Sequence, residues 1–236
     1  MKRLVIIGTS ETSERILKFC QLYNLYEVIG FAVDSEYRKN DMFHNLPVWD
    51  IETLDTHINK EEDRIFVALF WNNLNRDRRQ LFERLKSKGF HFANIVSPKA
   101  SVRGVIGENC WIMDNVIIQE GACIGENVII ADNALIGNMS KIKNHCFCGA
   151  NSTVMGGVVV GEQSFLGNCS SILEGVHVGR KCLIGAVTFV KEDLNDFTMI
   201  KTDVSNTIKQ YSESEIEMKM IARYKAKLRE KKNIDK

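Results

Sequence analysis

Residues 124–141 divide into the blocks IGENVI, IADNAL and IGNMSK, and the next block begins IKNHC, so isoleucine returns at every sixth residue. The same cut runs without an insertion from Ala100 to about Asn195. After the first block every opening residue is Ile, Val, Leu or Cys, and the fifth place is small or slim in nearly every block. A helix turns once in about 3.6 residues and cannot hold such a row on one face, whereas a short strand followed by a corner can. Self-similarity of this kind marks a solenoid, whose units bury their apolar positions only by stacking on neighbours. Three blocks per turn predict a triangular prism with aliphatic side chains inside. Each one buried contributes about 1.5–3 kcal/mol, which holds the register. Glycine recurs at the second place (Gly107, Gly125, Gly137, Gly161, Gly167, Gly179, Gly185) and reads as the residue of tight corners. Candidates for chemistry are therefore the residues outside the inward pattern.

The first third of the chain follows another rule. RLVIIG (3–8), EVIGFAVD (27–34), RIFVALF (64–70) and HFANIVS (91–97) read as four strands. The stretches 9–23 and 75–89 read as helices, the second closed by Gly89. Alternating strands and helices predict a small parallel sheet, with ligands bound beyond the carboxyl ends of its strands. Those ends carry Gly8-Thr9-Ser10, Asp34 and Trp71-Asn72-Asn73. GTSETS has one glycine where a dinucleotide fingerprint has three, which argues against NAD. Backbone amides with Ser10 can hold a diphosphate and Asp34 a ribose hydroxyl; equally, Ser10 caps the helix and Asp34 ends a strand.

A formal net charge of +1 on 236 residues gives no field for a polyanion, so nucleic acid is not expected. No apolar run reaches membrane-span length, and LVIIGTS after Met-Lys-Arg is too short for a signal core, so the expected compartment is cytoplasmic. The seven cysteines lack metal or redox spacing and read as reduced small hydrophobes. The repeats hold only His145 and His177, too few for a three-histidine zinc centre. The segment 212–236, with Ile216, Met220 and Tyr224 four apart after an S-x-S-E start, predicts a charged C-terminal helix.

A small Rossmann-like α/β domain followed by hexapeptide repeats, with FVALFWNN closing a strand and unbroken blocks running into FVKED, resembles the sugar O- and N-acyltransferases of the sialic acid O-acetyltransferase and bacillosamine acetyltransferase type. The resemblance covers about residues 1–195. It implies a left-handed parallel β-helix, although the usual crossover rule favours the other hand. It further implies a homotrimer with active sites between neighbouring prisms, acetyl-CoA along a subunit groove, and a nucleotide-linked amino sugar held partly by the first domain. The expected domains are 1–97 (nucleotide-sugar binding), 98–195 (β-helix acyltransferase) and 196–236 (C-terminal extension with a helix).

Matched block by block, the family's catalytic histidine falls on Asn138, its acidic neighbour on Met139 and a second histidine on Phe147. An amide is no general base near neutral pH. Either His145, at an outward place seven residues on, supplies the base, or the acceptor is an amine that needs less help while Asn138 orients it. The second reading predicts N-acylation. Gly156 and Gly157 match a position where backbone approaches the pantetheine, and Gly185 is a further candidate. Lys191, with Arg180 and Lys181, is placed to meet the phosphates of CoA. For the sugar nucleotide the candidates are Gly8, Ser10, Asp34 and Asn73. The family's usual G-x-P-A-K ending is replaced here. O-acyl transfer through His145 and a non-catalytic β-helix assembly or binding protein are the alternative readings.

Overall fold

The computed structural model describes residues 1–202 and, beyond them, Gln210, Ser212, Ser214, Glu215 and Met218. The expected C-terminal helix otherwise lies outside the described residues. Residues 1–202 pack as one compact unit. None of its helices is long and apolar enough to cross a membrane.

The first sheet contains β1 (Arg3–Ile7), β2 (Glu27–Val33), β3 (Met42–Phe43), β4 (Leu46–Asp50) and β5 (Arg64–Val67), in the order β3-β4-β2-β1-β5. Helices α1 (Glu11–Tyr23) and α2 (Arg76–Ser87) follow β1 and β5 as the alternation predicts. The four-strand reading is amended in two places. The stretch after Asp34 holds a hairpin: β3 and β4 pair antiparallel around His44 and Asn45, both at positive φ, while β4 runs parallel to β2. Consecutive left-handed residues make the tight turn that suits a twisted hairpin.

The expected fourth strand does not form in this sheet. Phe92 makes only an isolated bridge to Ile65, and Ile95–Val96 pairs with Trp111–Ile112 of the prism. Asn94 redirects the chain: its Oδ1 accepts the Cys110 amide and its Nδ2 donates to the Gly107 carbonyl, each at 2.8 Å.

From Ile95 the chain winds into a prism with walls of seven, six and five strands. Successive coils align eighteen residues apart, as in Leu135 opposite Thr153 and Ile136 opposite Val154. The first-place aliphatics form one continuous core. Fifth-place residues stitch coils together. Ser140 Oγ donates to Met155 O and accepts the Val158 amide, and the thiols of Cys110 and Cys146 reach Gly125 O and Gly161 O at 3.1 Å. These cysteines act as small donors, and burial raises both thiols to about 12.

The role assigned to the second-place glycines needs correcting. The left-handed corner residue is the fourth of each block: Asn127, Asn133, Met139, His145, Asn151, Gly157, Gln163 and Gly175 all have positive φ. A second-place glycine is needed instead because coils approach closely. A Cβ on Gly137 would lie 2.6 Å from Gly156 N, and one on Gly161 2.5 Å from Arg180 N.

The two kinds of glycine respond differently to substitution. Gly161→Ala should destabilise by about 1–3 kcal/mol through overpacking. Gly175→Asn, at φ +73 with nothing within 4 Å, should be nearly neutral because Asn tolerates the left-handed region. Urea unfolding of the two variants checks the contrast; equal losses would return the second-place glycines to a turn role.

Candidate active site

Asn138 occupies the third place of IGNMSK, at the corner between the six-strand and five-strand walls, and its side chain is exposed. Its amide donates to Gln119 Oε1 at 2.9 Å, and its carbonyl accepts the Gly157 amide at 2.9 Å. Eighteen residues on, Gly156 leaves room for its side chain: a Cβ there would sit 2.7 Å from Asn138 Oδ1. The Gly156 amide makes no hydrogen bond among the described residues. The corner thus combines a free amide side chain, an unused backbone donor and a strip bare of side chains at Gly156 and Gly157. Met139 beside it is 65% exposed. Lys191, also exposed, follows the last strand of the same wall, Phe189–Val190. Gly185 lies at another corner, beneath Lys201, and Arg180 is paired with Asp196 at 2.7 Å.

His145 is not outward. It is 4% exposed and continues a buried ladder along the corner between the five-strand and seven-strand walls. Asn109 Nδ2 donates to Asn127 Oδ1 at 2.7 Å, and Asn127 Nδ2 donates to His145 Nδ1 at 3.0 Å. Since an amide nitrogen only donates, Nδ1 is the unprotonated nitrogen and the proton sits on Nε2, 3.7 Å from Glu83 Oε1. Burial, then the Arg79 charge, lowers its pKa from 6.5 to about 4, against the opposing pull of Glu83.

The ladder is where α2 docks. Asn75 Nδ2 donates to His145 O at 2.8 Å, and Arg79 donates to Gln163 Oε1 at 3.2 Å. The fully buried Arg78 donates to Leu69 O at 3.0 Å, Asn109 O at 2.8 Å and Val67 O. His145 is a seam residue.

Asp34 is held at both oxygens by Arg84 Nη2, at 2.7 and 2.8 Å. Ser10 caps α1, its amide bonded to Ser13 Oγ at 3.3 Å. Asn73 is exposed and donates to Asp77 at 2.7 Å. Gly8, at φ +126, donates its amide to Ala32 O.

The cavities lie elsewhere, between the first domain and the seven-strand wall. One of about 320 Å³ is lined by Phe70, Trp71, Phe147 and Phe165, with Arg15 and Asp132; Gly8, Ser10, Asp34 and Asn73 do not line it. Phe147 and Phe165 stack at 5.0 Å, and Trp71 closes on Phe165 at 5.0 Å. A second, of about 280 Å³, shares Arg15, Met113 and Asp132 and extends along α1 past Phe19 to Tyr23. The aromatic hydrophobicity of FVALFWNN signals strand burial equally well, and its letters do not separate pocket wall from core.

Residues 103–138 match the family model described as bacterial transferase hexapeptide (six repeats). No curated protein matches the sequence. Among solved structures, the chain is similar to a histidine-to-asparagine variant of perosamine N-acetyltransferase from Caulobacter crescentus in complex with CoA and GDP-perosamine. The identity is 27% and the TM-score 0.74, over 84% of this chain and 93% of that one. PerB from the same organism, with the same two ligands, matches at 26% and 0.72 over the same shares. The acetyltransferase domain of PglB from Neisseria gonorrhoeae with acetyl coenzyme A matches at 20% and 0.74, over 88% and 99%. At that identity it bears on the fold alone, which is the fold expected from the sequence.

Because the folded pKa of His145 lies below the ordinary value, the unfolded chain takes up the proton first. The associated stability is fully present above about pH 6.5 and is lost as pH falls toward 4, a change of roughly 3 kcal/mol. Urea unfolding at pH 7.5 and pH 4.5 should show the loss, and His145→Asn should remove most of its pH dependence. An unchanged pH dependence in that variant would mean other groups carry it.

Proposed function

We propose that the protein is an acyl-CoA-dependent N-acyltransferase, with acetyl-CoA as donor and a nucleotide-linked amino sugar as acceptor, working in the cytoplasm on surface-glycan precursors. The observation that carries the reading is the Asn138 corner, with an amide oxygen and an unused Gly156 N–H beside a bare strip. It is supported by the similarity to acetyltransferase structures holding CoA and GDP-perosamine. One of those relatives carries asparagine in place of a histidine and still holds both ligands.

The chemistry suits an amine. The neutral amine attacks the thioester carbonyl carbon, the C–N bond forms, the carbonyl oxygen becomes an oxyanion, and the C–S bond breaks to release the thiol. Gly156 N–H is the donor available to the oxyanion. Asn138 Oδ1 accepts one amine N–H and aims the nitrogen lone pair. The proton released after attack goes to the departing thiolate through water. A hydroxyl would need a base, and burial of His145 speaks against that role for it.

Asn138 and the aromatic cavity lie on different corners of one prism, so a second copy of the chain is needed to bring them together. The six-strand wall between these corners exposes Ile117 (40%) and Phe189 (52%), and Met139 and Val187 (59%) flank it. We expect a homotrimer; light scattering giving a monomer at micromolar concentration would contradict it.

Thiol release from acetyl-CoA with a panel of UDP-, dTDP-, GDP- and CMP-linked amino sugars tests the activity. Asn138→Ala should lower turnover about tenfold to a hundredfold, on the order of 1.4–2.7 kcal/mol in the barrier. His145→Ala should lower the melting temperature and leave kcat of the folded protein near wild type. Collapse of kcat in folded His145→Ala would transfer the base role back to His145. No thiol release with any acceptor, together with no CoA binding by calorimetry, would favour a non-catalytic prism.

A further inference from the structure

We propose that Arg15 is the specificity-determining residue that clamps the diphosphate of the acceptor at the waist of a two-part cleft, an assignment that rests on the nucleotide-sugar reading above. Arg15 stands on α1 and lines both cavities. Its guanidinium carbon lies 5.2 Å from the ring centre of Trp111 and 5.8 Å from that of Phe70. Among the described residues it makes no ion pair and no hydrogen bond. Two aromatic faces therefore fix the plane of the group while its N–H donors remain unspent, the arrangement suited to forked binding of phosphate oxygens.

The neighbouring charges localise this preference. Lys18, the other cation of the second cavity, is bound to Glu14 at 2.5 Å. Asp114 is held by Tyr23 Oη at 2.6 Å, Ser97 Oγ at 2.6 Å and Lys99 Nζ at 3.2 Å. Asp132 Oδ1 accepts the Asp114 amide at 3.1 Å. Asp114 lines only the second cavity and repels an anion there, while Asp132 lines both cavities and accepts the Asp114 amide, so among the described residues the cation left for an anionic group is Arg15.

The shape agrees. Two cavities of about 320 and 280 Å³ meet at Arg15, and a nucleoside-diphosphate sugar consists of two ring-bearing ends joined by a diphosphate. The flat surface of Phe147, Phe165 and Trp71 receives the nucleobase. The second cavity, lined by Asp114, receives the amino sugar.

The test is calorimetric titration of the full-length chain with GDP, UDP and dTDP, with guanosine, uridine and thymidine as uncharged counterparts, and with glucuronate as an anion lacking phosphate. Arg15 is exposed, so Arg15→Gln should melt with the wild type. It should raise the Kd of the tightest diphosphate tenfold or more and leave the matching nucleoside unchanged; Arg15→Lys should fall between. Equal diphosphate affinity in wild type and Arg15→Gln overturns the proposal. So does no diphosphate binding by wild type, or Arg15-dependent binding of glucuronate alone. Loss of diphosphate affinity in Arg15→Gln with no acyl transfer to any amino sugar would leave the clamp standing and remove the acyltransferase reading. Transfer at wild-type KM in Arg15→Gln would do the reverse.

Discussion

A strand of two residues has almost no sheet of its own, so each coil of the prism depends on the next for its backbone partners. The Gly137 amide is taken by Val154 O, the Lys141 amide by Val158 O and the Lys143 amide by Val160 O. Buried backbone groups left unpaired are costly, which makes the eighteen-residue register a requirement of folding. It also decides which residues become neighbours across coils. Asn138 meets Gly156 because they are eighteen apart, and the bare backbone at Gly156 matters only because that register brings it under the amide side chain.

The same economy explains how the first domain is attached. Arg78 is buried with no carboxylate partner among the described residues, and burial lowers its pKa to about 9. It serves carbonyls of the strand end and of the Asn109 corner at once. Corners of a β-helix expose carbonyls that the coil stack does not use, and a guanidinium with five donors satisfies several of them from one side chain. With Asn75, Arg79 and the ladder, this fixes α2 against the corner. The walls of the aromatic cavity are then positioned by a seam on the other side of the first sheet.

Periodicity was the legible part. Aliphatics every sixth residue announce the prism, and the apolar runs before the helix starts announce β1, β2 and β5. β4 escaped because LPVWD carries a proline and only a short apolar pattern, and 91–97 misled because an apolar run says strand without saying which sheet. Asn94 made that choice through two hydrogen bonds to residues more than a dozen positions away. Cysteine at the fifth place was readable as small, but not as a donor to the next coil. The cavity was hidden because Phe70, Phe147 and Phe165 are indistinguishable in sequence from core aromatics.

Asn138 and His145 look equivalent in the sequence, two polar residues at corners of consecutive blocks, and the structure separates them by one place in the repeat. A third-place side chain precedes the left-handed residue and stands off the corner into solvent, as Asn138 does. A fourth-place residue is the left-handed one. At the corner covered by α2 its side chain joins the ladder, as Asn109, Asn127 and His145 do. His145 therefore belongs to the seam, where its neutral form is the one hydrogen-bonded. On the proposed function, proton removal at the Asn138 corner rests with the acceptor's own basicity, a condition an amine meets and a sugar hydroxyl does not.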